Sequence, residues 1–188
     1  VGSEMCIRDR TNGYELWKSD GTESGTVMVK DINNGSGSSI PFSNSALSVN
    51  SNIHLKAMNN TNTLFFVAND GIHGEELWKT DGTASGTVMV KDINSANGNS
   101  GHSDIGEFTQ MGSTLYFRAD DGTNGRELWK TDGTSSGTVM VKDINPGNAG
   151  VVDCNCLRAI TVVGNTLYFT ADDGTHGEEL WKLSLIHI

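Results

Sequence analysis

Between Thr114 and Ala119 the chain alternates, with Leu115, Phe117 and Ala119 on one parity and Tyr116 and Arg118 on the other. A period of two is that of a β-strand with one buried face, so this stretch predicts a half-buried strand. Asp121-Gly122-Thr123-Asn124-Gly125 then predicts a reversal, because Asn and Gly accept positive φ at low cost. Arg126 to Thr131 reads as the next strand, with Leu128 and Trp129 on opposite faces. Asp132-Gly133-Thr134 to Gly137 is a second turn, and Thr138 to Ile144 a β-branched strand closed by Asn145-Pro146-Gly147. With the short apolar segment Phe108 to Met111 ahead of them, residues Ile105 to Asn145 predict four short antiparallel strands. Helical periodicity is found nowhere in the chain.

This unit recurs. Glu127-Leu128-Trp129-Lys130-Thr131-Asp132-Gly133-Thr134 repeats Glu76 to Thr83 and, with small changes, Glu15 to Thr22, and its start returns at Glu179 to Lys182. Trp78, Trp129 and Trp181 lie about 50 residues apart, close to the period of a kelch-type propeller blade, while a longer connection separates Trp17 from Trp78. The expected fold is therefore all-β: a fragment of a β-propeller built from four-stranded antiparallel blades. Other all-β repeat stacks are the alternative. A single sheet cannot bury both of its faces, so each unit needs neighbours, and the tryptophans are the largest apolar groups available for that contact.

The two ends read differently. Met5 to Asp9 can be encoded by ATG TGT ATA AGA GAC, and with the following AG the reverse complement of that string translates as Leu-Ser-Leu-Ile-His-Ile, which is Leu183 to Ile188. An inverted word at the two ends is what a sequencing-library adaptor leaves. Residues 1–10 and 183–188 are therefore expected to be adaptor-derived and set aside from fold reasoning. The natural sequence is then expected to continue in both directions. The organisation that follows is a partial first repeat with its connection (11–52), a second repeat (53–104), a third (105–159) and a partial fourth (160–182). Open edges of such an arc favour association, and the remaining blades of the same chain are its expected first partners.

Charge narrows the partners. A net charge of −10 disfavours nucleic acid, whose phosphates it repels. No run of about 18 apolar residues is present to predict a transmembrane helix. Cys154 and Cys156 flank Asn155, too close for an unstrained disulfide on an extended strand and too few for a tetrahedral zinc site.

At the recurring stretch the sequence resembles the bacterial ELWxxDGT repeat family. The signature stands at Glu15-Leu16-Trp17 with Asp20-Gly21-Thr22, at Glu76-Leu77-Trp78 with Asp81-Gly82-Thr83, and at Glu127-Leu128-Trp129 with Asp132-Gly133-Thr134. The resemblance implies propeller-like blades and a place in a large exported or surface-anchored bacterial protein, so an extracellular or cell-surface location is expected. It carries over no catalytic residue.

A residue present in every copy is most simply explained by folding. Asp20, Asp81 and Asp132 precede Gly in turns, where a carboxylate caps its own backbone, and Lys91-Asp92 and Lys142-Asp143 are expected to be solvated charges. Trp17, Trp78, Trp129 and Trp181 complete the structural signature. The sharper possibility is calcium, an oxygen-seeking ion, at Asp120-Asp121 and Asp172-Asp173, with Asn69-Asp70 as the variant copy and Glu127, Glu178 and Glu75 following. No cofactor is otherwise expected. Catalysis would call on residues that occur once, and the unrepeated segments offer His102 with Asp104, Asp153 and the two cysteines, without a nucleophile elbow or a zinc-protease motif. His73 and His176 fall at the turn position of Asn124, which suits a turn residue. The function expected is a non-enzymatic binding or interaction module for a protein or glycan. The alternative is part of a propeller-based hydrolase or lyase with catalytic residues partly outside this sequence.

Overall fold

The computed structural model describes residues 3–9, 11–40, 55–59, 61–95, 101–146 and 157–184. Among these it is all-β, with four antiparallel sheets, no helix and no closed sheet. The first sheet holds β1 (Ser3–Asp9), β2 (Gly13–Ser19) and β3 (Val27–Lys30). The second holds β4 (Leu55–Ala57), β5 (Leu64–Asn69), β6 (Glu75–Thr80) and β7 (Val88–Lys91). The third holds β8 (Gly106–Met111), β9 (Thr114–Asp120), β10 (Arg126–Thr131) and β11 (Val139–Lys142), and the fourth β12 (Leu157–Val163), β13 (Thr166–Asp172) and β14 (Glu178–Ser184). Within each sheet, strands pair in chain order. The four-strand unit predicted over residues 105–145 is therefore the third sheet, though its last strand is shorter than Thr138 to Ile144.

Each sheet meets the next face to face. One apolar cluster joins Leu16, Val29 and Ile32 of the first unit to Phe66, Ala68 and Trp78 of the second. Another joins Val67, Leu77, Val90 and Ile93 to Leu115, Phe117 and Trp129. A third joins Tyr116, Leu128 and Ile144 to Leu167, Phe169 and Ala171, with Trp181 packed against it. Leucine and tryptophan of the signature thus serve opposite faces: the leucine meets the following sheet and the indole the preceding one. The pairing of the strand carrying them with the next breaks register between Leu and Trp in each of the first three sheets, a bulge copied with the sequence.

Face-to-face stacking overturns two expectations. β9 is not half-buried, because Tyr116, on the parity opposite Phe117, is buried against the fourth sheet. Lys91 is not a solvated charge either: its Nζ donates to the Thr138 carbonyl of the next unit (2.8 Å) and lies 5.8 Å from the Trp129 ring centroid. Lys30 repeats both contacts at Thr87 and Trp78, and Lys142 stands 5.1 Å from the Trp181 ring. The signature lysines do likewise, Lys18 to the Gly82 carbonyl (2.7 Å) and Lys79 to that of Gly133 (2.8 Å). Turn carbonyls of each unit face its predecessor, and a four-carbon stem reaches them while covering the indole. The paired aspartates also turn inward, with Asp92 Oδ1 and Asp143 Oδ1 buried and lacking a hydrogen bond.

Ser3 to Asp9, within the stretch expected to be adaptor-derived, pairs as β1 along the whole of β2. The backbone groups of an open edge accept any extended segment. Leu183 and Ser184 likewise extend β14 against Leu167 and Thr166.

Candidate functional site

The signature aspartates bond within their own turns. Asp20, Asp81 and Asp132 each accept, through Oδ1, the backbone N–H and the hydroxyl of the threonine two residues on (2.7–2.9 Å). Those bonds hold all three below the usual aspartate range, the threonine hydroxyl having the largest effect. The glutamates are buried. Glu76 accepts the N–H of Ile93 (2.8 Å) and the Ser103 hydroxyl (2.5 Å), and Glu15 accepts the N–H of Ile32 (3.2 Å) and the Ser39 hydroxyl (2.5 Å). Glu127 takes the Asn145 N–H (3.3 Å). Desolvation pushes Glu76 and Glu127 up to about 7, and Glu15 in the same direction, against the hydrogen bonds that oppose it.

The turns considered for calcium are occupied by their own backbone. Asp120 Oδ1 accepts the Gly122 N–H, and Asp121 takes Thr123 N–H, Asn124 N–H and the Asn124 side-chain amide. Asp172 and Asp173 repeat this with Gly174, Thr175 and His176, and Asp70 with Ile72 and His73. The glutamates grouped with them do not form one set. Glu127 corresponds to Glu76 and Glu179, one place after Glu75 and Glu178, and faces the Ile144–Asn145 backbone. Among the described residues no three His, Cys, Asp or Glu side chains gather as metal ligands do. Cys154, Cys156 and Asp153 lie outside the described residues.

What the repeat does not use gathers at one place. Arg118 stands where the other units have Val67 and Thr170, and Arg126 where they have Tyr14, Glu75 and Glu178. Both arginines converge on Asp104: Arg126 Nε pairs with Oδ2, and Arg118 Nη2 lies 3.6 Å from Oδ1. Asp104 is brought there because Ser103, beside it, accepts the Asp120 N–H at the end of β9 where β10 begins. Burial pushes the Arg118 guanidinium below its usual range, Asp104 opposing and Arg126 adding to the shift, with Glu107 and Arg158 also within electrostatic reach. Arg118 Nε is buried without a hydrogen bond. The backbone here is unusual too, with Asp104 at φ 43° and Glu107 at φ 58°, a region non-glycine residues seldom enter. Glu107 sits in a register break of β8, and Ala159 (φ 53°) in the corresponding break of β12.

His102 and Asp104, neighbours in sequence, take separate partners. His102 Nδ1 accepts the Glu75 N–H (3.3 Å), which ties it to the second sheet, while Asp104 serves the third. The arrangement is a partly exposed cationic pair around one carboxylate, suited to holding a polar or anionic group. Sequence reasoning reached Asp104 but missed Arg118 and Arg126. Their signal was departure from the repeat at positions where the other copies carry no cation.

Comparison of the chain with protein-family models, with curated proteins and with solved structures finds no match to any of them.

Proposed function

We propose that this chain is a run of β-propeller blades of the ELWxxDGT kind, belonging to a larger exported bacterial surface protein and serving as a non-enzymatic binding module for a protein or glycan. The observation that carries the reading is a division of labour. Repeated polar side chains hold turns and inter-sheet junctions, whereas the arginines that occur once collect around Asp104 on a strained backbone. Asp104 itself is held at φ 43°, and backbone strain at such a cluster is a common mark of a functional site. The stacking of consecutive sheets supports the propeller architecture, since it is how neighbouring blades bury their faces.

Under this reading a panel of acidic and neutral glycans and surface proteins, screened against the immobilised chain, contains a ligand whose binding falls at least tenfold on Arg126→Ala. A ligand that binds the Arg126→Ala and Asp104→Ala variants as well as the parent would place the surface elsewhere. For the architecture, a structure of an extended gene product is expected to close with roughly four to eight sheets, and an open, uncurved stack would refute it. Calcium is tested by calorimetry at millimolar concentration, where neither heat nor a rise in melting temperature is the outcome that removes it.

A further inference from the structure

Past Arg10 the chain has three arginines, and Arg126 and Arg158 both lie within electrostatic reach of the third, Arg118. Lysine is distributed differently: every lysine but Lys56 stands at a repeated position. In a chain of net charge −10, the cations that belong to no repeat are therefore gathered at one junction, between the third sheet and the fourth. Like charges so gathered call for anions in return. Asp104 pairs with Arg126 but stands 3.6 Å from Arg118 Nη2, beyond hydrogen-bond distance, and Arg118 Nε is buried with no acceptor. Opposite Arg118 on β8 is Gly106, which brings no side chain to it. Arg118 is thus a mostly buried cation, its side chain 15% exposed, that is short of acceptors.

We propose that this junction binds the carboxylate of a hexuronate unit in an acidic glycan, seated at Arg118 and Arg126 beside Asp104. The assignment rests on the reading of the chain as a binding module and names the ligand class of that site. Asp104 supplies the first argument, because the group these arginines already hold is a carboxylate, planar like the guanidinium fork it meets. Charge supplies the second: Arg118, Arg126 and Arg158 face two carboxylates, Asp104 and Glu107, so one further carboxylate balances the set. Burial of Arg118 strengthens a bond made there, since salt screens a charge pair held away from water only weakly. Asp104 and Glu107 also decide between a sugar acid and an acidic peptide. Both are acceptors, and a hexuronate carries ring hydroxyls that donate to them. A run of aspartates or glutamates would instead bring like charge against them.

The test titrates trigalacturonate and trimannuronate into the chain by calorimetry, with their methyl esters, neutral galactotriose and tetraglutamate as comparisons. Expected are saturable one-to-one binding of a uronate trimer, at least tenfold weaker binding to Arg118→Thr, and no binding of the esters or of galactotriose. Threonine is the residue of the fourth unit at that position, Thr170, so the variant returns the third sheet to the repeat, and its melting transition shows that it folds. Should Arg118→Thr lose that transition, Arg126→Ala reads the same loss of binding from the more exposed partner. The proposal is overturned if an ester or galactotriose binds as the acids do, if the folded variants bind as the parent does, or if neither uronate saturates at millimolar concentration. Tetraglutamate that binds as tightly and competes with the uronate overturns it too, since the site then takes acidic peptide. The binding-module reading is judged separately. A neutral glycan or a protein held through Arg126, with no uronate bound, defeats the sugar-acid assignment alone, and a chain that holds nothing on the ligand panel defeats both.

Discussion

Trp129 and Glu76 show how single side chains carry the repeat. The Trp129 indole is buried between the second and third sheets, so Trp129→Ala removes one wall of that cluster. A loss of about 3–5 kcal/mol is expected from chemical denaturation, the range for large-to-small core changes; under about 1 kcal/mol would mean the neighbouring sheets close over the gap. Glu76 is buried at a site that raises its pKa to about 7, so its charged form is the costly one. Glutamine keeps the acceptor for Ile93 N–H and donates to the Ser103 hydroxyl. Urea denaturation is expected to find Glu76→Gln more stable than the parent at pH 8, by up to about 3 kcal/mol, with the difference gone near pH 4. An equal loss at both pH values would show that the site needs the charge.

At the scale of the element, each turn is shaped by the unit before it. Gly122 combines a φ of 77° with close approach of Asn94 Oδ1, which an added methyl would strike, and Gly71 and Gly174 stand in the same relation to Asn33 and Asn145. Gly112 has a similar φ of 62° with nothing within 4 Å of the position a Cβ would take. Gly112→Ala is therefore expected to cost only the left-handed strain, about 1–2 kcal/mol. Gly122→Ala should cost about 1–3 kcal/mol more, from overpacking, and Asn94→Ala in that background should return the difference. Equal costs at the two glycines, measured by thermal or urea unfolding, would remove the junction from the explanation.

For the whole molecule, the raised and lowered carboxylates set a pH optimum. Glu76 and Glu127 hold their protons more tightly when folded, so their contribution is complete below about pH 4.5 and lost as pH rises through 7. Glu15, His73 and His176 are shifted upward and act in the same sense. Asp20, Asp81, Asp132 and Asp173 are shifted downward, so their contribution is present above about pH 4 and lost as pH falls below it. Melting temperature is expected to peak between about pH 4.5 and 6 and to fall toward pH 8. A plateau from pH 6 to 8 would mean the buried glutamates are solvated in the folded chain.

The sequence by itself determined the strands and turns of the third unit, the recurrence of that unit and the turn roles of Asp81 and Asp132, because period-two patterning and turn chemistry act within a few residues. Which faces those strands bury was decided only in the tertiary structure. Tyr116 and Lys91 read as outward-facing in one unit, and become inward-facing only when the next unit lies over them. The same is true of Glu76, whose partners Ile93 and Ser103 come from a later turn of the chain. Nor could spacing reveal that Asp104 meets Arg118 and Arg126, since that contact depends on how the approach to β8 folds back over the end of β9. Local periodicity wrote the elements, and the stacking of copies assigned the charges their partners.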